Sequence, residues 1–182
     1  MTKRIFPAIA VAVFFFAACN NGEQKPADDN SAKMKEAIKV VFSAFETGNT
    51  DGLDAVIDSN FVEHCPPPNF EVKGLDGFKQ LVKVNHEAFP DAKLTIHNIA
   101  VDGDVAMVHY NWKGTNSGSM GPDYPATNKP IDVNGVDIIK FAKGKGAEHW
   151  GYFEEQKMMT QLGITNMGAP AEASTPKEDE KK

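Results

Sequence analysis

Apolar residues recur at three- and four-residue steps in the first half of the chain and at two-residue steps in the second. This change of period separates a helical part from a sheet. Met34, Ala37, Ile38, Val41, Phe42 and Phe45 form one stripe, which predicts an amphipathic helix stopped at Gly48. Ser31 is placed to cap its start. A short second helix is predicted from Thr50 to Ile57, with Leu53, Val56 and Ile57 inward. Phe61 to His64 is a brief extended piece, halted by Pro66, Pro67 and Pro68. Gly74 to Phe89 reads as a third helix carrying Leu75, Phe78, Leu81, Val82 and Ala88, and Pro90 closes it.

Alternation then takes over. Leu94 to Val101 is a strand, Asp102-Gly103 a turn, and Val105 to Thr115 the returning strand. A loop rich in Gly and Pro, Asn116 to Pro130, leads to a third strand, Ile131 to Ala142. Lys143-Gly144-Lys145-Gly146 turns the chain into a fourth, Ala147 to Glu154, and a short helix, Gln156 to Leu162, ends at Gly163. Helices first and a meander afterwards predict an α+β fold, with helices packed on one face of an antiparallel sheet.

The flanks have a different composition. Lys3 and Arg4 precede an uncharged run from Ile5 to Ala18, 14 residues long. A membrane-spanning helix needs about 20 residues, so the run fits the apolar part of a secretory signal. It ends in Phe16-Ala17-Ala18-Cys19, which resembles the lipobox of bacterial lipoproteins, although leucine is more usual where Phe16 stands. The resemblance implies cleavage of residues 1–18, lipidation of Cys19, and a protein anchored to a membrane of the cell envelope after export. Each buried CH₂ of an acyl chain adds about 0.8 kcal/mol of membrane affinity. Residues 19–31 read as the lipidated Cys and a flexible tether, 32–164 as the folded domain, and 165–182 as a disordered tail.

Charge narrows the partners. Loss of Lys3 and Arg4 with the signal leaves 17 basic residues against 25 acidic ones, a net charge of −8. Such a surface repels phosphate backbones, which argues against a nucleic-acid partner, and leaves membrane attachment to the lipid. With Cys19 lipidated, Cys65 has no partner for an intramolecular disulfide, and burial is the commoner fate of such a thiol.

Several words in this order are specific. They are Phe45-Glu46-Thr47-Gly48-Asn49-Thr50-Asp51-Gly52-Leu53-Asp54, Asn60-Phe61-Val62-Glu63-His64-Cys65-Pro66-Pro67-Pro68, Phe89-Pro90-Asp91, Gly135 to Phe141 followed by Gly146-Ala147-Glu148-His149-Trp150, and Gln161-Leu162-Gly163. Across 32–164 they resemble the SnoaL-like polyketide cyclases of the nuclear-transport-factor-2-like superfamily. The resemblance implies a cone, with a strongly curved antiparallel sheet wrapped around the N-terminal helices and an apolar pocket at the wide end. It also implies a homodimer formed through the outer sheet face, and ring closure by aldol addition without metal or cofactor.

That chemistry needs a base for a proton beside a carbonyl, and donors for the enolate. Asp137 and His149 match the family's site positions. Asp137 lies among aliphatic neighbours in the third strand, with Gly135 and Ile139 on its face; His149 shares a face with Gly151 and Phe153. Each also admits a plain reading as a satisfied buried polar group. His64 is expected as a polar residue at the pocket rim or as a hydrogen bond fixing the proline turn. Phe45, Trp112 and Phe153 are the aromatics expected to meet a ligand. His109 faces away from Tyr110 and Trp112, and either face could line the cone. The five histidines form no HxH or HxxxH pair, which argues against a metal site.

One departure stands out. Cyclising members carry an aspartate two residues after the matching histidine as the main acid/base group; here that place is Gly151. Two readings therefore remain: an enzyme using Asp137 and His149 on a small hydrophobic carbonyl compound, and a non-catalytic envelope module that binds such a compound. A pure interaction domain would instead have a filled cone.

Overall fold

A computed structural model describes residues 29–67, 70–121 and 124–164. The proposed signal, most of the tether and the tail lie outside the described residues. Helix α1 (Asp29–Thr47) is followed by a single turn, α2 (Leu53–Val56), strand β1 (Ile57–Glu63) and helix α3 (Gly74–Ala88). The meander is β2 (Lys93–Asp102), β3 (Val105–Thr115), β4 (Pro130–Ala142) and β5 (Lys145–Phe153), closed by α4 (Glu155–Leu162). The strands form one sheet in the order β1-β5-β4-β3-β2. All neighbours are antiparallel except β1, which runs parallel to β5.

Three boundaries differ from expectation. α1 begins at Asp29, inside the stretch read as tether, so Ser31 lies within the helix rather than capping it. The second helix shrinks to Leu53–Val56, because Ile57 already starts β1. β1 is also longer than the Phe61–His64 piece: its exposed polar positions hid the alternation of Ile57, Phe61 and Glu63 on the inner side.

The sheet is curved and open, and its concave face takes the apolar alternation. On β3, Ala106, Val108 and Tyr110 are buried while Met107 and His109 are exposed. Register shifts at β2 between Ile96 and Asn98, and in the β4–β5 pair beside Phe141, add curvature as bulges do. The stripe of α1 packs Met34, Ala37, Ile38 and Phe42 onto this face. A second cluster joins α1, β1 and α3 through Ala44, Leu53, Phe61, Phe78 and Val82. A third seals the far end with Phe89, Ile131, Val133, Met158 and Leu162.

Gly48 ends α1 at φ 69°, donating its N–H to Ala44 O at 2.8 Å. A Cβ there would come within 2.5 Å of His86 Cδ2, so the joint between α1 and α3 requires glycine sterically as well as conformationally. His86 is half-buried, and its Nδ1 has no partner among the described residues.

Candidate functional site

The helices and the bent sheet leave a cavity of about 200 Å³ between them, so the filled cone expected of an interaction domain is not what forms. Most of its wall is hydrocarbon. α1 contributes Ile38, Phe42 and Phe45, α3 contributes Phe78 and Leu81, and the sheet contributes Trp112, Ile139, Phe141 and Phe153. Phe45, Trp112 and Phe153 all line it as expected, and the Tyr110–Trp112 side of β3 is the inner one. Trp112 sits between Phe89 and Phe153, at centroid distances of 5.0 and 6.3 Å.

The polar part of the wall is concentrated on β1, β5 and β4. Glu63 pairs with His149 across the parallel β1–β5 junction, and His149 pairs with Ile139 across the antiparallel one. Asp137 lies directly opposite Gly151, one inward position further on. The imidazole therefore stands between two carboxylates. Its Nδ1 is 2.6 Å from Glu63 Oε2, and its Nε2 is 3.4 Å from Asp137 Oδ1. The Glu63 side chain is only 3 % exposed, and its other oxygen accepts the Cys65 N–H at 2.9 Å.

Two forces act on the His149 proton. Burial by itself favours the neutral ring, but the hydrogen bonds and charges of Asp137 and Glu63 outweigh it and push the pKa up to about 10. At neutral pH the ring is an imidazolium: a proton donor and a fixed positive charge, not a base. Burial also raises the Tyr110 phenol, and the charge of Asp137 and its hydrogen bond raise it further, so the phenol keeps its proton as a donor. Asp137 is thus flanked by two protonated groups and opens onto the cavity.

Gly151 explains how the arrangement fits. A Cβ at this position would lie 2.9 Å from His149 Cε1 and 3.4 Å from Asp137 Oδ1. The space that a side chain would take is occupied by the imidazole.

Sequence reasoning brought Asp137 and His149 together correctly but missed Glu63 and Tyr110. The signal for Glu63 was present: it follows the inward Phe61 by two residues, so alternation points it inward. The same alternation turns His64 outward, which corrects its expected place at the pocket rim. Its ring stacks on Trp150 at 4.2 Å, and its Nε2 lies 3.0 Å from Glu148 Oε2. Trp150 is on that outer side too. Cys65, expected to be buried, is an exposed free thiol at the cavity wall. Among the described residues, no group of three or more His, Cys, Asp or Glu is arranged to hold a metal ion. Likewise among the described residues, no helix is long and apolar enough to cross a membrane.

The sequence model of the SnoaL-like polyketide cyclases matches residues 35–162. Several solved structures share the fold. TsrD from Streptomyces laurentii is 23% identical, with a TM-score of 0.66 over 73% of this chain and 96% of its own. A polyketide-cyclase-type protein of Acidithiobacillus ferrooxidans is 25% identical, with a TM-score of 0.63 over 75% and 98%. IdmH from Streptomyces antibioticus is 22% identical, with a TM-score of 0.61 over 72% and 99%. No curated protein matches the chain in sequence.

Proposed function

Since the chain belongs to the SnoaL-like polyketide cyclase family, we propose that it binds a small hydrophobic carbonyl compound and performs cofactor-free acid/base chemistry on it. The observation that carries this reading is the Glu63–His149–Asp137 row at the polar end of an otherwise apolar cavity. Asp137 is the group to take a proton from the carbon beside the carbonyl. The negative charge that moves onto the carbonyl oxygen is met by the Tyr110 O–H and the neighbouring imidazolium charge. The proton held by Asp137 returns to another carbon in an isomerisation, or to the new alkoxide in a ring closure. Glu63 touches no cavity ligand in this scheme; it holds His149 in place and protonated.

A non-catalytic binding module is the second reading. It is favoured by Gly151 and by the ring nitrogens of His149 already facing carboxylates. Asp137→Asn separates the two: loss of any turnover with ligand affinity within about threefold supports catalysis, whereas equal loss of both argues for binding alone.

Two further parts belong to the same proposal. Lipidation of Cys19 would hold the domain on an envelope membrane through residues 20–28; the run from Ile5 to Cys19 supports this. Pairing of two copies through the outer sheet face is supported by Met107, Val136 and Tyr152, which are 48, 39 and 57 % exposed there.

A further inference from the structure

We infer that the outer face of the sheet carries a copper site, in which His97 and His109 are the two nitrogen ligands of one Cu(II) ion. The site is separate from the cavity and does not depend on what the cavity does.

A bulge builds the pair. Leu94, Ile96, Ile99 and Val101 of β2 all pack inward against the core cluster of α1 and β3. Ile96 and Ile99 are three positions apart rather than two, so the alternation slips by one between them. The slip falls where Ile96 pairs with Tyr110 and Asn98 with His109, which leaves His97 without an opposite number. Two residues then oppose one, and the bulge turns both toward the same side of the sheet. His97, Asn98 and His109 are all exposed there. The imidazoles of His97 and His109 have their centroids 5.0 Å apart and their planes at 48°.

That spacing is the one a shared ion requires. An imidazole nitrogen ligates a first-row ion at about 2.0–2.1 Å, which puts the ring centre about 3.2 Å from the metal. Two such rings set at roughly 90–110° around the ion have centres about 4.5–5.2 Å apart. Among the described residues neither ring has a hydrogen-bond partner, so their nitrogens are not committed elsewhere. The HxH and HxxxH spacings look along one element and miss a pair that faces across two strands.

The donor set selects the ion. No Asp, Glu or Cys joins the two histidines in a cluster among the described residues. Calcium and magnesium need oxygen ligands, and zinc sites use three or four protein ligands. Cu(II) stands highest in the divalent series and accepts tetragonal nitrogen and oxygen sets completed by water. Asn98 stands opposite His109, and Met107 lies two residues before it on the same face, 48 % exposed. Their amide oxygen and thioether are the weaker donors beside the pair.

Cu(II) itself is the probe. Calorimetry and EPR are run on the full chain, on His97→Gln and His109→Gln, and on His64→Gln as a control. Expected is one ion per chain, with nitrogen splitting in the EPR spectrum. His97→Gln and His109→Gln should each weaken binding about tenfold or more, because losing one ring removes the chelate. His64→Gln should leave it unchanged. Tyr152→Glu, a charge on the same face, should also bind as before; loss of binding there would assign the ion to a contact between copies and overturn the site as drawn. Binding unaffected by either His97→Gln or His109→Gln overturns the pair, as does the absence of binding. Thermal melting shows that each variant is folded, and none of these results touches the proposed function.

Discussion

The imidazole of His149 lies over the backbone of Gly151, so close that a methyl group added there would sit 2.9 Å from Cε1. Glycine at this position is the condition for the row of Glu63, His149 and Asp137. A side chain at 151 and the ring at 149 would compete for one volume. The bare backbone of Gly151 therefore has a structural role. It lets the histidine swing onto the sheet and take carboxylates on both sides.

Gly151→Ala should push the ring away from Asp137. The expected cost is about 1–3 kcal/mol of stability, typical of overpacking, with a lower His149 pKa as the contact to Asp137 opens. Denaturant unfolding and NMR titration of the imidazole measure the two effects. Unchanged stability together with an unchanged titration would mean that the ring does not lie on Gly151.

The pH dependence follows from His149. Its folded pKa, about 10, is above its ordinary value of 6.5. A raised pKa means that the folded state holds the proton more tightly than the unfolded chain. The stabilisation is complete below about pH 6.5 and is lost as pH rises toward 10. Stability should fall between pH 7 and 10 by up to about 1.4 kcal/mol per pH unit. In Glu63→Gln the imidazole should titrate lower and the slope should shrink. Removing one partner of a buried ion pair should also cost about 3–5 kcal/mol near neutrality. Urea melts across this range decide it, and a flat profile in the unmodified protein contradicts the charged-ring reading.

Asn116 offers a test of the fold that leaves the site alone. This fully buried side chain donates to Gly118 O at 2.8 Å and accepts the N–H and O–H of Thr127, fastening the ends of the loop between β3 and β4. Asn116→Ala strands these partners and should cost about 2–3 kcal/mol. Hydrogen exchange should speed up at Thr127, whose amide loses its acceptor, while the His149 titration stays the same.

Cys19→Ala should move the protein from the membrane to the soluble fraction on cell fractionation. An unchanged membrane fraction removes the anchor from the proposal.

Tyr152→Glu places a charge on the outer sheet face, near the exposed Val136 and beyond the cavity. Sedimentation should show a dimer of the unmodified chain and a shift to monomer in the variant. A monomer in both cases would remove the second copy from the proposal.

Period and punctuation alone determined the elements of this protein. The stripe from Met34 to Phe45, the break at Gly48, the alternation from Leu94 onward and the turns at Asp102-Gly103 and Lys143–Gly146 are local consequences of side-chain direction and backbone freedom, so they can be read without coordinates. The approach of Asp137 to His149 followed from the same information, because a short turn fixes the register of two adjacent strands. Contacts across the sheet edge could not be read that way. Glu63 reaches His149 only because β1 pairs in parallel with β5, a junction between segments 86 positions apart that no turn encodes. That one pairing set the inward-facing Glu63 beside the His149 ring and made the histidine a cation. Sequence placed the ionisable groups on strands; which of them meet, and which proton each keeps, depended on tertiary packing, because charge and desolvation are set by neighbours in space.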